Sequence, residues 1–349
     1  MKLLTVTRLG GPEVLVLRDA PDPSCAEGQV RIRVERSGLN FSDVAARVGL
    51  YPDAPKPPMT TGYEVSGVVD AVGKGVSLTL GTRVFALTHF GGHATHVVVP
   101  ESFAHAIPDA MSFDEAAALP VNYLTAFHML FRIFNLRPGQ HVLVHMAAGG
   151  VGLAVIELAR TVKDVTLYGT ASAGKHDFLR RAGVQHPIDY RTQDYSEEVR
   201  RLTQGRGVHL VLDPLGGPDW RKGYELLRPT GHLIAFGWSN MVTGPKRNFL
   251  HVGRQFLRLP RFSPLKLMGA NRSISGVNVG HLWEEAEVLG EALGGVLALY
   301  AQGKIHPRVD KVFSLADGAG AHRYVQERQN VGKVLFDCSD ATLGNSARK

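Results

Sequence analysis

The chain has 349 residues, 44% of them apolar and 20% charged, which exceeds the usual size of one domain and supplies apolar content for two cores. Lys and Arg total 39 against 32 Asp and Glu, a net charge of +7; that balance suits nucleic acid, an anionic membrane face or a phosphorylated cofactor, so the location of the charge must decide. The 2 cysteines, Cys25 and Cys338, lie near opposite ends and outside any Cys-x-x-Cys spacing, which excludes a disulfide framework and a cysteine-ligated zinc site and fits a reducing, cytoplasmic setting.

The N-terminal run Met1 to Val6 is strand-like rather than the apolar core of a signal peptide, and nowhere do about 18 apolar residues follow one another. From Met1 to about Asn122 short β-rich runs, such as Gln29 to Arg36 and Val65 to Val72, are punctuated by Gly and Pro. Strand and helix then alternate: strand His141 to Met146, helix Gly150 to Val162, strand Val165 to Thr170, helix Lys175 to Ala182, strands His209 to Asp213 and His232 to Phe236. That rhythm predicts a doubly wound parallel sheet. An apolar run from Ser273 to Val279, a helix from Trp283 to Gln302 and a strand Gly332 to Phe336 follow, and the last returns the chain to the first domain. The expected division is therefore a β-rich domain of residues 1–122 and 277–349 around a cofactor domain of residues 123–276, with a loose tail after Cys338.

Ala147-Ala148-Gly149-Gly150-Val151-Gly152 joins a buried strand to a helix. Glycines there let backbone N–H groups approach a pyrophosphate, and the helix N-terminus adds positive partial charge. An NAD-specific domain places an acidic residue about 20 residues further on, at the ribose 2′-hydroxyl. Here the next strand ends in Gly169-Thr170-Ala171-Ser172-Ala173-Gly174-Lys175, which offers hydroxyls and a cation to a 2′-phosphate. A charge-assisted hydrogen bond of that kind contributes roughly 1.5 to 3 kcal/mol, so NADPH is the expected cofactor. The plain alternative for Lys175 is a solvated lysine at a helix start.

Gly139-Gln140, Leu143, the 147–152 turn and Arg160 resemble the signature of the quinone oxidoreductase (zeta-crystallin) branch of the medium-chain dehydrogenases/reductases, departing at Glu157, where the branch usually has Gln. Gly10 to Leu15, Gly38 to Asp43, Gly49 to Pro52 and Gly62 to Gly67 extend the resemblance over nearly the whole chain. His145-Met146, Pro187 to Tyr190, Asp213 to Gly217 and Thr243 to Asn248 resemble the subgroup of synaptic-vesicle membrane protein homologues. The resemblance implies an α/β fold with a GroES-like β-rich catalytic domain and a Rossmann domain. It also implies cofactor contacts at Thr125, Gly149, Gly150, Val151, Gly152, Thr170, Ser172, Lys175, Tyr190, Phe236, Gly237 and Arg328, with Lys175, Tyr190 and Arg328 around the 2′-phosphate. Asn330 to Lys333 match a stretch that passes the cofactor again, and which side chain points inward stays open.

Zinc-dependent relatives carry a Cys and a His where this chain has Asn40 and Tyr63, and the 15 His residues supply no third ligand at His89, His93 or His96, so no metal is expected. Without zinc, hydride transfer to a quinone or to an activated C=C bond of an enone or enoyl group is favoured over alcohol oxidation. Tyr51 resembles the proton-donating tyrosine of zinc-free enoyl reductases, and Asn40 is the residue to orient the substrate carbonyl or the nicotinamide amide. The alternative for Tyr51 is a packing aromatic, for Tyr63 a filler of the vacated zinc volume, and Asp43 reads as a structural brace.

Near residues 245–270 lie Lys246, Arg247, Arg254, Arg258, Arg261 and Lys266 with no acid, interleaved with Phe249, Leu250, Phe256, Leu257 and Leu265. This insertion reads as a lid, a dimer contact or a surface lying on an anionic membrane. Pro245, Pro260 and Pro264 argue against one long helix. Nucleic-acid binding lacks a recognised module. The leading expectation is thus an NADPH-dependent, zinc-independent reductase acting as a homodimer in the cytoplasm, with its substrate in a cleft between the domains. The rivals are a peripheral membrane or lipid-handling protein that retains NADPH binding, and a biosynthetic enzyme using the fold for modified chemistry.

Overall fold

The computed structural model describes residues 1–339 other than Pro245, Trp283 and Glu284, with Ala286 described by its backbone alone. The expected loose tail, the helix-breaking role of Pro245 and a helix start at Trp283 lie outside the described residues. The chain forms two compact units: Met1–Val121, Gly244–Arg247 and the chain from Pro307 make the first, and Asn122–Thr243 with Asn248–His306 make the second.

The first unit is built on a seven-stranded, largely antiparallel sheet. Its long strand Gln29–Leu39 alternates: Val30, Ile32 and Val34 are buried while Arg31 and Arg33 turn outward, the period of two that a half-buried strand requires. Glu64–Val72, His96–Pro100 and Lys333–Asp337 all pair with it. Ser37 lies opposite Val65, and Leu39 opposite Val334. One residue further along each ladder, Glu64 and Lys333 come to the end of the strand where Asn40 begins the helix Phe41–Arg47.

The second unit is a six-stranded sheet in the spatial order His186–Asp189, Thr166–Ala171, His141–Val144, Val208–Asp213, Leu227–Ala235, Ser273–Gly276, every pairing parallel. This is the third-second-first-fourth-fifth-sixth order of a doubly wound dinucleotide-binding fold, whose direction reverses between His141–Val144 and Val208–Asp213. Helices cover both faces, so Val142, Leu143, Val144, Leu210, Val211 and Leu212 are all buried in unbroken runs. Each such side chain contributes about 1.5–3 kcal/mol of burial.

The chain rejoins the first unit at Pro307 rather than at the expected residue 277. Ser273–Gly276 is the sixth strand of the parallel sheet, and the helix Ala286–Ala301 stays with that unit. A Cβ on Gly295 would lie 2.8 Å from the Phe127 ring, and Glu291 pairs with Arg132. The basic insertion forms two short helices, Phe249–Leu257 and Pro264–Ala270, and Pro264 occupies the first turn, where a proline is tolerated. Among the described residues no helix is long and apolar enough to cross a membrane.

Candidate functional site

In the second unit the turn after His141–Val144 is shaped by close backbone approach. Gly149 caps the 11-residue helix Gly150–Arg160 with extended backbone (φ −80°, ψ 175°), and as a glycine it brings no side-chain acceptor to the first N–H groups of that helix. A Cβ on Gly152 would sit 2.5 Å from the Ala147 carbonyl oxygen, and one on Gly150 would sit 2.6 Å from the Asn122 amide nitrogen. Gly149, Gly150 and Val151 are partly exposed, whereas Ala147, Ala148 and Gly152 are buried. The arrangement is a cradle of the kind that receives a pyrophosphate, and its donor chemistry fits a dinucleotide.

Thr170 has a supporting place in this geometry. Its hydroxyl accepts from the Met146 N–H at 3.2 Å and lies 3.1 Å from His145 Nδ1, and its carbonyl accepts from the Ala147 N–H at 3.0 Å. Burial holds His145 down to about 3, so the imidazole is neutral. Ala171 and Asp189 are opposite one another on adjacent parallel strands, so Ser172 to Lys175 and Tyr190 leave neighbouring strand ends beside the turn. Asp189 faces its own loop, accepting from the Arg191 N–H at 3.0 Å and the Thr192 hydroxyl at 3.1 Å. Lys175 and Ser172 are half-buried and Tyr190 is 38% exposed.

Phe236 and Gly237 follow the fifth strand, with the Phe236 N–H donating to the Asp213 carbonyl at 3.0 Å. Asp213 is fully buried and its Oδ1 accepts from the N–H groups of Leu215 (2.6 Å) and Gly216 (3.1 Å). Burial pushes its carboxyl up to about 7 against the downward pull of those two N–H groups. Thr125 is buried on the helix Pro120–Phe127. Arg328 lies in the first unit, in the left-handed region at φ 57° just after the helix Gly318–Gln326, and so belongs to a different unit from Lys175 and Tyr190.

The first unit carries Asn40 and Tyr51. Lys333 Nζ donates to Asn40 Oδ1 at 2.6 Å, Asn40 Nδ2 donates to Glu64 Oε1 at 3.0 Å, and Lys333 and Glu64 form a short ion pair. Glu64 Oε2 accepts from the Val121 N–H at 2.7 Å. Asp43 is the brace expected: Oδ2 accepts from the Asn40 N–H and Oδ1 from the Gly62 N–H, each at 2.8 Å. The Tyr51 ring meets Tyr63 edge-on at 6.0 Å, and Tyr63 in turn packs on Phe90. Tyr51 also lines a groove of about 330 Å³ with Leu9, Gly49, Leu50 and Lys56. Arg247, counted with the basic insertion, instead donates to the Gly49 carbonyl at 2.9 Å and so anchors the Tyr51 loop.

A catalytic zinc does not fit these donors. Glu64 is held by Lys333 and a backbone N–H, burial beside Asp43 drives the Tyr63 phenol away from ionisation, and among the described residues no three His, Cys, Asp or Glu side chains could hold a metal.

Sequence reasoning missed Asn122, Glu64 and Lys333 as parts of the site. Lys333 and Glu64 are 269 positions apart, and no spacing rule joins them. Within Asn330 to Lys333, Lys333 Nζ turns to Asn40 Oδ1 and Asn330 Nδ2 donates to the nearby Gly332 carbonyl at 2.8 Å.

Residues 26–109 match the alcohol dehydrogenase GroES-like domain, and residues 182–335 match the zinc-binding dehydrogenase family. The chain is 46% identical over 339 residues to the human synaptic vesicle membrane protein VAT-1 homolog, covering 96% of this chain and 86% of that one. It is 32% identical to a 2-haloacrylate reductase of a Burkholderia species, over 95% of this chain and 97% of that protein. The quinone oxidoreductase of Escherichia coli, solved in complex with NADPH, superposes with a TM-score of 0.85 at 27% identity, covering 97% of this chain and 100% of that one. Fold, turn and near-full-length similarity agree: the chain belongs to the medium-chain dehydrogenase/reductase family, in its quinone oxidoreductase-like branch.

Proposed function

We propose that this oxidoreductase uses NADPH, without zinc, to reduce a quinone or the activated C=C bond of an enone or enoyl substrate. The observation that carries the reading is the 147–152 cradle, capped by a glycine and without room for a Cβ at Gly150 or Gly152, with Ser172, Lys175 and Tyr190 at the neighbouring strand ends. The backbone N–H groups of Gly150 and Val151 would hold the pyrophosphate, while Lys175 and Tyr190 would hold the 2′-phosphate. When bound, NADPH would supply the hydride, to a quinone or to the β-carbon of an enone or enoyl group. Asn40 donates a hydrogen bond to the acceptor oxygen as negative charge gathers there, and the Tyr51 phenol delivers the proton that completes the saturated product. The partner is an apolar small molecule. Among the described residues Ser273–Gly276 is an edge strand of the parallel sheet, which supports a homodimer.

Loss of reduced-nicotinamide absorbance with menadione and with a panel of enones tests the reading. Turnover with NADPH well above that with NADH is expected. Cofactor binding without turnover across the whole panel would overturn the reductase.

A second reading rests on the insertion. Leu250, Leu257 and Leu265 are 85%, 89% and 80% exposed, beside Arg254, Arg258, Arg261 and Lys266 and with no acid among them. Such a surface suits peripheral contact of a cytoplasmic protein with an anionic bilayer, each nearby cation adding about 1 kcal/mol. Flotation with phosphatidylserine vesicles but not with phosphatidylcholine vesicles is the expected result.

A further inference from the structure

Three side chains far apart in the chain meet at one end of the sheet in the first unit. Glu64 is 0% and Lys333 2% exposed, whereas Asn40 is only half-buried. An ion pair taken out of water needs further hydrogen bonds to satisfy it. Here each partner turns to the same amide: Lys333 Nζ to Asn40 Oδ1 at 2.6 Å, and Glu64 Oε1 to Asn40 Nδ2 at 3.0 Å. A lysine only donates and a carboxylate only accepts, so the amide can sit just one way round; reversed, its NH2 would face an ammonium and its oxygen a carboxylate. The space is cut to this arrangement. A Cβ on Gly38 would lie 2.6 Å from Glu64 Oε1 and 2.8 Å from Lys333 Cε, which explains a glycine within an otherwise well-packed strand.

We infer that the buried Glu64–Lys333 pair is a positioning device that presents Asn40 to the substrate as an N–H donor and polarises that donor from behind. The inference rests on the reductase reading above and decides between the two duties open to Asn40. With its oxygen loaded by an ammonium, the amide has only hydrogens to offer, and besides Glu64 the Nδ2 contact among the described residues is the long one to the Gly38 carbonyl at 3.5 Å. A cation on the amide oxygen draws electron density from the nitrogen and strengthens its N–H as a donor. When hydride adds to the β-carbon of an enone, the C=C pair moves to make an enolate, and the oxygen gaining that charge is what such a donor stabilises. Protonation at the α-carbon then completes the reduction. Glu64 and Lys333 never touch the substrate and act through Asn40.

The test compares wild type, Asn40→Ala, Lys333→Met, the double variant Glu64→Gln/Lys333→Met, and the triple combination. Lys333→Met alone leaves a buried carboxylate without its counter-charge and is expected to melt early; the double variant removes both charges and keeps the volume, so it is the one that decides. With NADPH and a reducible enone, the double variant is expected to lose about 10²-fold in kcat, as an oxyanion donor does when it is lost. NADPH affinity stays unchanged, and adding Asn40→Ala costs little more. A folded double variant with wild-type kcat, or losses that add fully to those of Asn40→Ala, overturns the inference. If wild type reduces no acceptor, the reductase reading is what fails. The positioning role is then read from the Asn40 side-chain amide resonances in protein with isotopically labelled asparagine, assigned through Asn40→Ala: a shift in the double variant upholds the role, and unchanged resonances overturn it.

Discussion

Asn122 stands so close to Gly150 that any side chain on the glycine would run into it, with a new Cβ 2.6 Å from the amide nitrogen. The two glycines of the helix start therefore differ in what blocks them. Gly152 is closed off by backbone, the Ala147 and Met146 carbonyl oxygens at 2.5 and 2.6 Å, which cannot step aside. Gly152→Ala is expected to destabilise the fold by about 1–3 kcal/mol, the usual cost of overpacking. Gly150→Ala meets a side chain that can turn away, so its melting temperature should change less. On the proposed reading its NADPH affinity should still fall, because the new methyl would crowd the helix start that receives the pyrophosphate. Thermal melts and fluorescence titrations with NADPH on both variants check the contrast; equal melting temperatures would contradict it.

On the proposed reading, Lys175 separates NADPH from NADH. It follows the end of the strand Thr166–Ala171, with no acidic residue between that strand and the helix His176–Ala182. Lys175→Ala is expected to weaken NADPH binding by about one to two decades, the value of one charge-assisted hydrogen bond, and to leave NADH binding unchanged. Titration with both cofactors measures it. Equal losses for the two would place Lys175 away from the 2′-phosphate.

The turn at 147–152 was legible because its signal is local: glycines between a continuous apolar run and an amphipathic helix. The strand His186–Asp189 gives little signal in the sequence, since it is four residues long and contains Pro187. The sequence starts the fifth strand only at His232, because Pro229-Thr230-Gly231 looks like a turn. The structure carries the strand from Leu227 through that stretch, with Thr230 at φ 69°. The resemblance implies a cofactor contact at Thr170, at the end of the second strand, and nothing in the sequence shows that its hydroxyl meets Met146 and His145. The Asn40, Glu64 and Lys333 contact depends on the register of three strands, which only long-range pairing decides. Glu157, the one departure in the signature, was visible, but its partners were not: it accepts from the Tyr123 hydroxyl at 2.6 Å and the His306 N–H at 2.9 Å.

Leu250 and Leu257 are 85% and 89% exposed, so neither contributes measurably to the core. Their helix is held to its own unit by other residues: His251 Nε2 lies 2.8 Å from the Asn240 carbonyl, and Phe256 meets Trp238 edge-on at 5.3 Å. Leu250→Ser/Leu257→Ser should therefore leave stability within about 0.5 kcal/mol of wild type, the usual range for surface changes. NADPH oxidation should also be unchanged. If the helix meets membranes, flotation with phosphatidylserine vesicles drops in the same variant. A fall in turnover with no change in flotation would instead make the helix a wall of the substrate site.

Asp213 gives the protein a pH dependence of its own. Burial raises its carboxyl from an ordinary 3.8 to about 7, so the folded state holds a proton that the unfolded chain releases. Between pH ~4 and pH ~7 the folded state binds more protons than the unfolded one, and stability falls as pH rises. The contribution is complete below the unfolded value and lost once pH passes the folded one. Asp213→Asn keeps an oxygen to accept from the Leu215 and Gly216 N–H groups but carries no titration. Relative to the variant, wild type should lose about 3 kcal/mol over that interval. Denaturant unfolding of both proteins at the two ends of the interval measures the difference. A gap that stays constant with pH would mean that Asp213 is ionised in the folded protein and that the two N–H groups outweigh its burial.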